Sequence, residues 1–119
     1  MSSSRPSEQP DQWVGRSLVV TVDRQIGSKH PTNASIEYEL TYGFVPGTPA
    51  ADGHEIDAHI VGVLEPVYSF SGQCIAIIHR HDDVEDKLIV ALIGQNFSDE
   101  DILRLTNFQE RFFKSSLIR

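Results

Sequence analysis

Side chains that could bind a metal or a phosphate are concentrated in three short segments of the chain. The first segment contains Asp52, His54, Glu55 and Asp57 around Gly53. Carboxylates crowded at a turn can share a divalent cation, whose charge offsets the repulsion that would otherwise raise one pKa. This segment therefore indicates a metal site, with an ordinary Asp-Gly turn as the alternative.

The second segment, residues 79–87, holds two histidines, four acids and two cations between two apolar runs. On a strand, His79 and His81 would point the same way, since side chains alternate between the two faces. The segment is typical either of further metal ligands or of a solvated hairpin turn.

The third set consists of Arg24, Lys29, His30, Tyr38 and Tyr42. A guanidinium can bind two phosphate oxygens at once, and a tyrosine hydroxyl can donate to them. These residues predict a local phosphate site, with ordinary polarity at strand ends as the alternative.

Five segments that could position these groups have the composition of β-strands, and a helix follows them. The strands are predicted at residues 17–23, 36–40, 56–64, 73–80 and 87–93, whereas residues 42–54 are rich in Gly and Pro and predict turns. Ser98 is a helix N-cap candidate with Asp101 three residues on. An apolar face follows at helical spacing, formed by Ile102, Leu105, Phe108, Phe112 and Phe113. Short strands before one late helix predict a mainly β fold, a small barrel with the helix packed on it.

Length and charge limit the classes of protein that remain. The chain has 119 residues and a formal charge of -7, which suits one domain and argues against a nucleic-acid or membrane partner. Residues 1–12 are polar and predict a disordered tail, so the folded domain is expected at 13–119. Cys74 is the only cysteine, which is compatible with a cytoplasmic location.

Two motifs taken together resemble a known family. Residues 38–48, Tyr-Glu-Leu-Thr-Tyr-Gly-Phe-Val-Pro-Gly-Thr, are followed at 52–57 by Asp-Gly-His-Glu-Ile-Asp. This region resembles the signature of the soluble family I inorganic pyrophosphatases, in which Tyr-Pro-x-Asn-Tyr-Gly-Tyr-Ile precedes Asp-Gly-Asp-Pro-x-Asp. The resemblance extends over roughly Trp13 to Arg119. It implies a five-stranded, OB-like closed barrel with one C-terminal helix packed on it, and a homo-oligomer as one form of the protein.

The resemblance also implies roles for individual residues. The implied metal ligands are Asp52, His54, Asp57, Asp82 and Glu85. The implied substrate-binding residues are Arg24, Tyr38, Tyr42, Lys87 and Lys114. The implied catalytic residues are His54 and Asp57, acting on a water that attacks pyrophosphate.

This chain departs from the family pattern at several positions. His54 stands where the family has the middle Asp that helps to deprotonate the attacking water, and Phe113 replaces a Tyr. The acids of the family's N-terminal segment have no counterpart. Because an imidazole at position 54 favours softer metals, the implied Mg²⁺ could be replaced by Mn²⁺, Co²⁺ or Zn²⁺.

Three functions are therefore compared. The first is metal-dependent hydrolysis of pyrophosphate, or of a related phosphoanhydride, to phosphate. The second is a catalytically impaired relative that binds phosphate, nucleotide or metal as a sensor or subunit. The third is a plain OB-like module for a protein or single-stranded nucleic acid, which the acidic composition disfavours.

Overall fold

The computed structural model describes residues 13–48, 55–65, 67–81 and 86–119. It contains six strands and one helix: β1 (Ser17–Arg24), β2 (Thr41–Val45), β3 (Ile56–Ile60), β4 (Ser69–Arg80), β5 (Asp86–Ala91), α1 (Asp99–Glu110) and β6 (Ser115–Ile118). Within the described ranges, no helix is long and apolar enough to cross a membrane.

Five strands close into a barrel. Their order is β1-β2-β3-β5-β4, and the pairing of β1 with β4 closes the ring. β3 and β5 run parallel, and the other pairs in the ring are antiparallel. The predicted mainly β fold, a five-stranded OB-like closed barrel with the helix packed on it, is confirmed.

Apolar side chains fill the barrel and also cover part of its outer face. The interior contains Val20, Ile60 and Ile77, all fully buried. On the outside, α1 inserts Ile102 and Phe108 into a second cluster formed by strand and loop residues, among them Tyr38, Tyr42, Ile78 and Ile89. The helix therefore packs against one side of the barrel and borders the neighbouring outer surface of the sheet.

The start of α1 agrees with the sequence, and its end does not. Ser98 caps the helix, because its side chain accepts a hydrogen bond from the Asp101 backbone N–H. The helix ends at Glu110, so Phe112 and Phe113 do not belong to its apolar stripe as predicted. The chain instead turns here and enters β6, which pairs with β4 outside the ring and was not predicted from the sequence.

The second strand lies later in the chain than predicted. Residues 36–40 contribute one isolated bridge, Lys29 to Glu37, whereas β2 lies in the segment that was predicted to form turns. Gly43 explains the error. A Cβ built on it would lie 2.0 Å from the Thr21 carbonyl oxygen, so this glycine serves close contact between β1 and β2 rather than a turn.

The limits of three other strands also differ from the predictions. β3 ends at Ile60 and β5 ends at Ala91, both earlier than expected. β4 begins at Ser69, before the predicted start at residue 73, because its first half pairs with β1 to close the ring. Local composition does not predict that pairing, because the two strands are distant in the sequence.

Candidate active site

Neighbouring strands place four polar side chains on the outer face of the barrel. Arg24 is the register partner of Tyr42 across β1 and β2, and Asp57 is the partner of Lys87 across the parallel pair β3 and β5. Tyr42 also faces His59 on β3, two residues after Asp57. Because side chains two residues apart share a face, the strands bring these groups together.

Asp57 is the centre of this arrangement. Its Oδ2 accepts hydrogen bonds from Lys87 Nζ at 2.5 Å and from the Tyr42 hydroxyl at 2.8 Å. Lys87 is 3% exposed, whereas the Asp57 side chain retains 29% of its exposure. The charge of a nearly buried lysine is thus held against a carboxylate that still reaches solvent.

Tyr42 is held in its protonated form. Burial raises the pKa of its phenol well above the usual value, and the neighbouring Asp57 carboxylate raises it further. Tyr38 behaves alike, since burial raises its phenol pKa despite the opposing effect of Arg24. Tyr42 therefore keeps the proton that it donates to Asp57, and Tyr38 keeps a hydroxyl proton that it can donate.

These side chains line a cleft of about 390 Å³ between the barrel and the end of α1. Five of the residues predicted from the sequence lie together in it: Arg24, Tyr38, Tyr42, Asp57 and Lys87. Lys114 lines a separate neighbouring cleft of about 460 Å³ with His81 and Glu110. The structure thus unites five predicted residues and places the sixth described one apart.

Arg80 also lines the main cleft, although it was not among the predicted site residues. It is 4% exposed, and its Nε and Nη2 donate to the two oxygens of Glu110 at 3.0 and 2.9 Å. Its guanidinium lies 3.7 Å from the Phe113 ring centroid. A cation that ends a continuous apolar run was the signal in the sequence, because such a residue must be paired when buried.

His59 joins the same ion pair from the barrel side. Its Nε2 lies 3.2 Å from Glu110 Oε2, and burial lowers its pKa, so it is neutral at pH 7. Burial alone would raise the pKa of Glu110, but the hydrogen bonds from His59 and Arg80 outweigh it and lower the pKa to about 2. Glu110 is therefore a carboxylate that fixes Arg80 at the edge of the cleft.

Four predicted residues, Asp52, His54, Asp82 and Glu85, lie outside the described residues. Within the described ranges, no three His, Cys, Asp or Glu side chains are grouped as metal ligands. Asp57 is an oxygen donor of the type that Mg²⁺ prefers, but its Oδ2 is bound by Lys87 and Tyr42. In the described part of the chain, Asp57 and Asp23 line the cleft as oxygen donors, which is not a full ligand set.

The fold and cleft together define a small mixed β-barrel with a charged cleft on its outer face. Arg24, Arg80 and Lys87 line this cleft beside two protonated tyrosines. Cations and hydroxyl donors in this arrangement can bind phosphate oxygens.

Comparison with known proteins finds solved structures with a similar fold. No family model and no curated protein sequence matches the chain. Among solved structures, the inorganic pyrophosphatase of Helicobacter pylori is similar with a TM-score of 0.66 and 15% identity, covering 100% of this chain and 89% of that one. The inorganic pyrophosphatase of Ehrlichia chaffeensis is similar with a TM-score of 0.64 and 15% identity, and the match covers 87% of this chain and 85% of that one. The inorganic pyrophosphatase of Neisseria gonorrhoeae is similar with a TM-score of 0.60 and 16% identity, and the match covers 85% of this chain and 76% of that one.

These likenesses show that the chain has the fold of the family I inorganic pyrophosphatases. The resemblance seen in the two sequence motifs is confirmed at the level of the fold. At 15–16% identity these likenesses show the fold alone.

Proposed function

We propose that this protein hydrolyses inorganic pyrophosphate to two phosphates. The observation that carries the proposal is the hydrogen-bonded set of Asp57, Lys87 and Tyr42 in a cleft that also holds Arg24 and Arg80. Three cations and the Tyr38 hydroxyl suit a dianionic phosphoryl group, and the pyrophosphatase fold favours a phosphoanhydride over other phosphates. A cytoplasmic location and self-association are further parts of this proposal.

The proposed reaction uses a divalent cation, Mg²⁺ first, with Mn²⁺, Co²⁺ or Zn²⁺ as alternatives. The proposed ligands are Asp57 together with Asp52, His54, Asp82 and Glu85. When bound, such an ion would lower the pKa of water and polarise a phosphoryl oxygen.

The residues of the chain then have separate tasks. A water oxygen attacks one phosphorus, the bridging P–O bond breaks, and the second phosphate leaves. Asp57 or His54 accepts the proton of the attacking water. Lys87, Arg24 and Arg80 stabilise the charge that develops on the leaving phosphate, and the Tyr38 hydroxyl orients it by donating a hydrogen bond. Tyr42 contacts the substrate beside Asp57, whose carboxylate it holds by its own hydrogen bond. Lys114 is proposed to contact substrate from the neighbouring cleft.

The test is release of phosphate from pyrophosphate by the purified full chain with Mg²⁺, Mn²⁺, Co²⁺ or Zn²⁺. Release above the metal-only blank is expected with at least one ion, and no release with any of them would refute the proposal.

We expect Asp57→Asn to lower kcat by about 100-fold or more. Tyr42→Phe should lower it by about tenfold, since it removes one hydrogen bond to a charged group. Tyr68→Phe is the control, because Tyr68 is 88% exposed and lies outside the cleft.

His54→Asp tests the assignment of the catalytic residue that lies outside the described ranges. If position 54 corresponds to the family's middle Asp, this change should raise activity with Mg²⁺. Unchanged activity would show that the assignment of position 54 is wrong while leaving the rest of the site intact.

A second function, binding of phosphate or nucleotide without turnover, is favoured by one observation. Asp57 Oδ2 is already bound by Lys87 and Tyr42, so its carboxylate is partly engaged before any metal or water arrives. Calorimetry that detects pyrophosphate binding while no phosphate is released would support this alternative.

A further inference from the structure

We propose that the protein has a second metal site, in which His79 and His81 bind a divalent transition-metal ion of the Zn²⁺ type at the end of β4. This inference goes beyond the proposed hydrolysis and does not depend on it, because it uses side chains other than those that line the main cleft. Its evidence is the geometry of a histidine pair that the sequence pattern predicted to share one face of a strand.

The two histidine rings lie next to each other at the surface. Their centroids are 5.1 Å apart, and the ring planes are perpendicular, at 89°. Two imidazoles bound to one tetrahedral ion at about 2.0–2.1 Å place their centroids roughly 5 Å apart. The His79 side chain is 43% exposed and His81 is exposed, so an ion can reach both from solvent. The pair therefore has the spacing and the access of two ligands of one ion.

Asp86 orients one of these rings. It is the register partner of His79 across β4 and β5, and its Oδ1 lies 2.7 Å from His79 Nδ1. Because a carboxylate only accepts hydrogen bonds, the proton of a neutral His79 lies on Nδ1 and the lone pair lies on Nε2. Histidines that bind metals usually donate to a carboxylate in this way, which fixes the ring and makes the other nitrogen a stronger ligand. We therefore assign Asp86 as the residue that orients His79.

The position of the pair separates it from the main cleft. His79 and Arg80 are successive residues of β4 and point to opposite faces, and Arg80 lines the cleft. His79 is also the register partner of Ser116 on β6, and the His81 backbone N–H donates to the Lys114 carbonyl at 2.6 Å. An ion bound here would therefore hold the end of β4 in place where both β5 and β6 pair with it.

The chemistry of the ligands selects the class of ion. Imidazole nitrogen suits Zn²⁺, Cu²⁺ and Ni²⁺, whereas Mg²⁺ prefers oxygen ligands and retains several waters. Because no three His, Cys, Asp or Glu side chains are grouped as ligands in the described part of the chain, that part supplies two ligands and water completes the coordination. Such a site is open, unlike a structural zinc site with four protein ligands.

The test measures the access of each histidine in the purified, metal-free full chain. Exposed imidazoles are carbethoxylated with diethylpyrocarbonate during a titration with Zn²⁺, and the modified residues are identified by mass spectrometry. A ring nitrogen bound to the ion cannot react, so Zn²⁺ should protect His79 and His81 with one common half-saturation concentration. Mg²⁺ at the same concentrations should protect neither, and equal protection by Mg²⁺ would overturn the proposal.

Variants then assign the ligands. Asp86→Asn should raise the Zn²⁺ concentration for half-protection by about 10–100-fold, as loss of the outer partner of a metal-bound histidine does. His81→Gln should abolish the protection of His79, and since His81 is exposed, this variant carries the test even if Asp86→Asn changes stability. Asp99→Asn is the matched control, an exposed carboxylate paired with Arg119, and should leave protection unchanged. Protection of His79 that survives His81→Gln would refute the pair as a site.

Asp57→Asn distinguishes this site from the proposed catalytic ion. It removes a proposed ligand in the main cleft and should leave the protection of His79 and His81 by Zn²⁺ unchanged. Loss of protection in this variant would assign the ion to the cleft and refute the second site. Phosphate release without protection of the pair would preserve the proposed function and refute this inference alone, and protection without phosphate release would do the reverse.

Discussion

At the scale of single residues, the ion pair of Arg80 with Glu110 shapes the cleft as much as the predicted Asp57 does. Glu110 binds Arg80 through both oxygens and also accepts from His59. All three side chains are nearly or fully buried, so each depends on the others for compensation of its desolvation. One residue at the end of α1 thereby fixes a cation beside the cleft.

This buried group predicts loss of stability in acid. The pKa of Glu110 is about 2 in the folded protein against about 4.5 unfolded, so its contribution is present above pH 4.5 and is lost as the pH falls towards 2. The pKa of His59 is lowered in the folded state, so its protonation begins to favour unfolding once the pH falls below about 6.5. Urea titrations should show the free energy of unfolding falling by about 3 kcal/mol across this window.

Glu110→Gln identifies the group responsible. This variant should be less stable than the parent at pH 7 and should show a smaller decrease between pH 4.5 and 3. Asp99→Asn is the control, since Asp99 is exposed in its ion pair with Arg119. An equal decrease in the parent and in Glu110→Gln would contradict the assignment.

At the scale of elements, the site depends on the contact between β1 and β2. This pair sets Arg24 beside Tyr42, and its register shifts between Val22 and Arg24. Gly43 allows the two strands to approach, because any side chain there would meet the Thr21 backbone. A residue that the sequence pattern assigned to a turn is therefore part of the strand that carries Tyr42.

Gly43→Ala should disrupt this contact. The added Cβ would lie 2.0 Å from the Thr21 carbonyl oxygen and 3.0 Å from a Val20 methyl, so β1 and β2 must separate. We expect a loss of about 3 kcal/mol or more in the free energy of unfolding, measured by urea titration. Gly15→Ala is the comparison: nothing lies within 4 Å, and its φ of +92° alone should cost about 1–2 kcal/mol. A smaller loss at Gly43 than at Gly15 would contradict the role given to Gly43.

At the scale of the whole molecule, closure of the barrel separates an apolar interior from the outer face that carries the cleft. β4 makes this possible, since its first half pairs with β1 and its second half with β6, while β5 lies along its other edge. Cys74 lies inside the ring and is fully buried, whereas Asp57 and Lys87 point outward beneath the end of α1. Chemistry at the cleft therefore does not require the interior to open.

Cys74 provides a probe of that closure. Burial raises the pKa of its thiol to about 11, so both access and ionisation oppose its reaction with a thiol reagent. Labelling of the native protein at pH 8 should be at least 100-fold slower than labelling of the urea-unfolded chain. Ser116→Cys, on an exposed position of β6, should react rapidly in the native state and serves as the control. Native Cys74 that reacts as fast as this control would show that the barrel is not closed.

The sequence by itself determined the class of fold and much of the cleft. β-branched runs, the Ser98 cap and the Tyr-Gly and Asp-Gly motifs depend on neighbouring residues alone, so they could be read before any contact was known. They led to the barrel, the start of α1 and five residues of one cleft. The four predicted metal-site residues that lie outside the described ranges stay predictions.

Only the tertiary structure decided the position of β2, the existence of β6, the end of α1 and the role of Arg80. Three of these depend on a partner distant in the chain: Thr21 for Gly43, β4 for β6, and Glu110 for Arg80. A strand without its own strong apolar pattern forms because another strand supplies its hydrogen bonds, and a buried cation persists because a carboxylate thirty residues away neutralises it. Local pattern cannot encode such pairs, since their energy exists only once the barrel has closed.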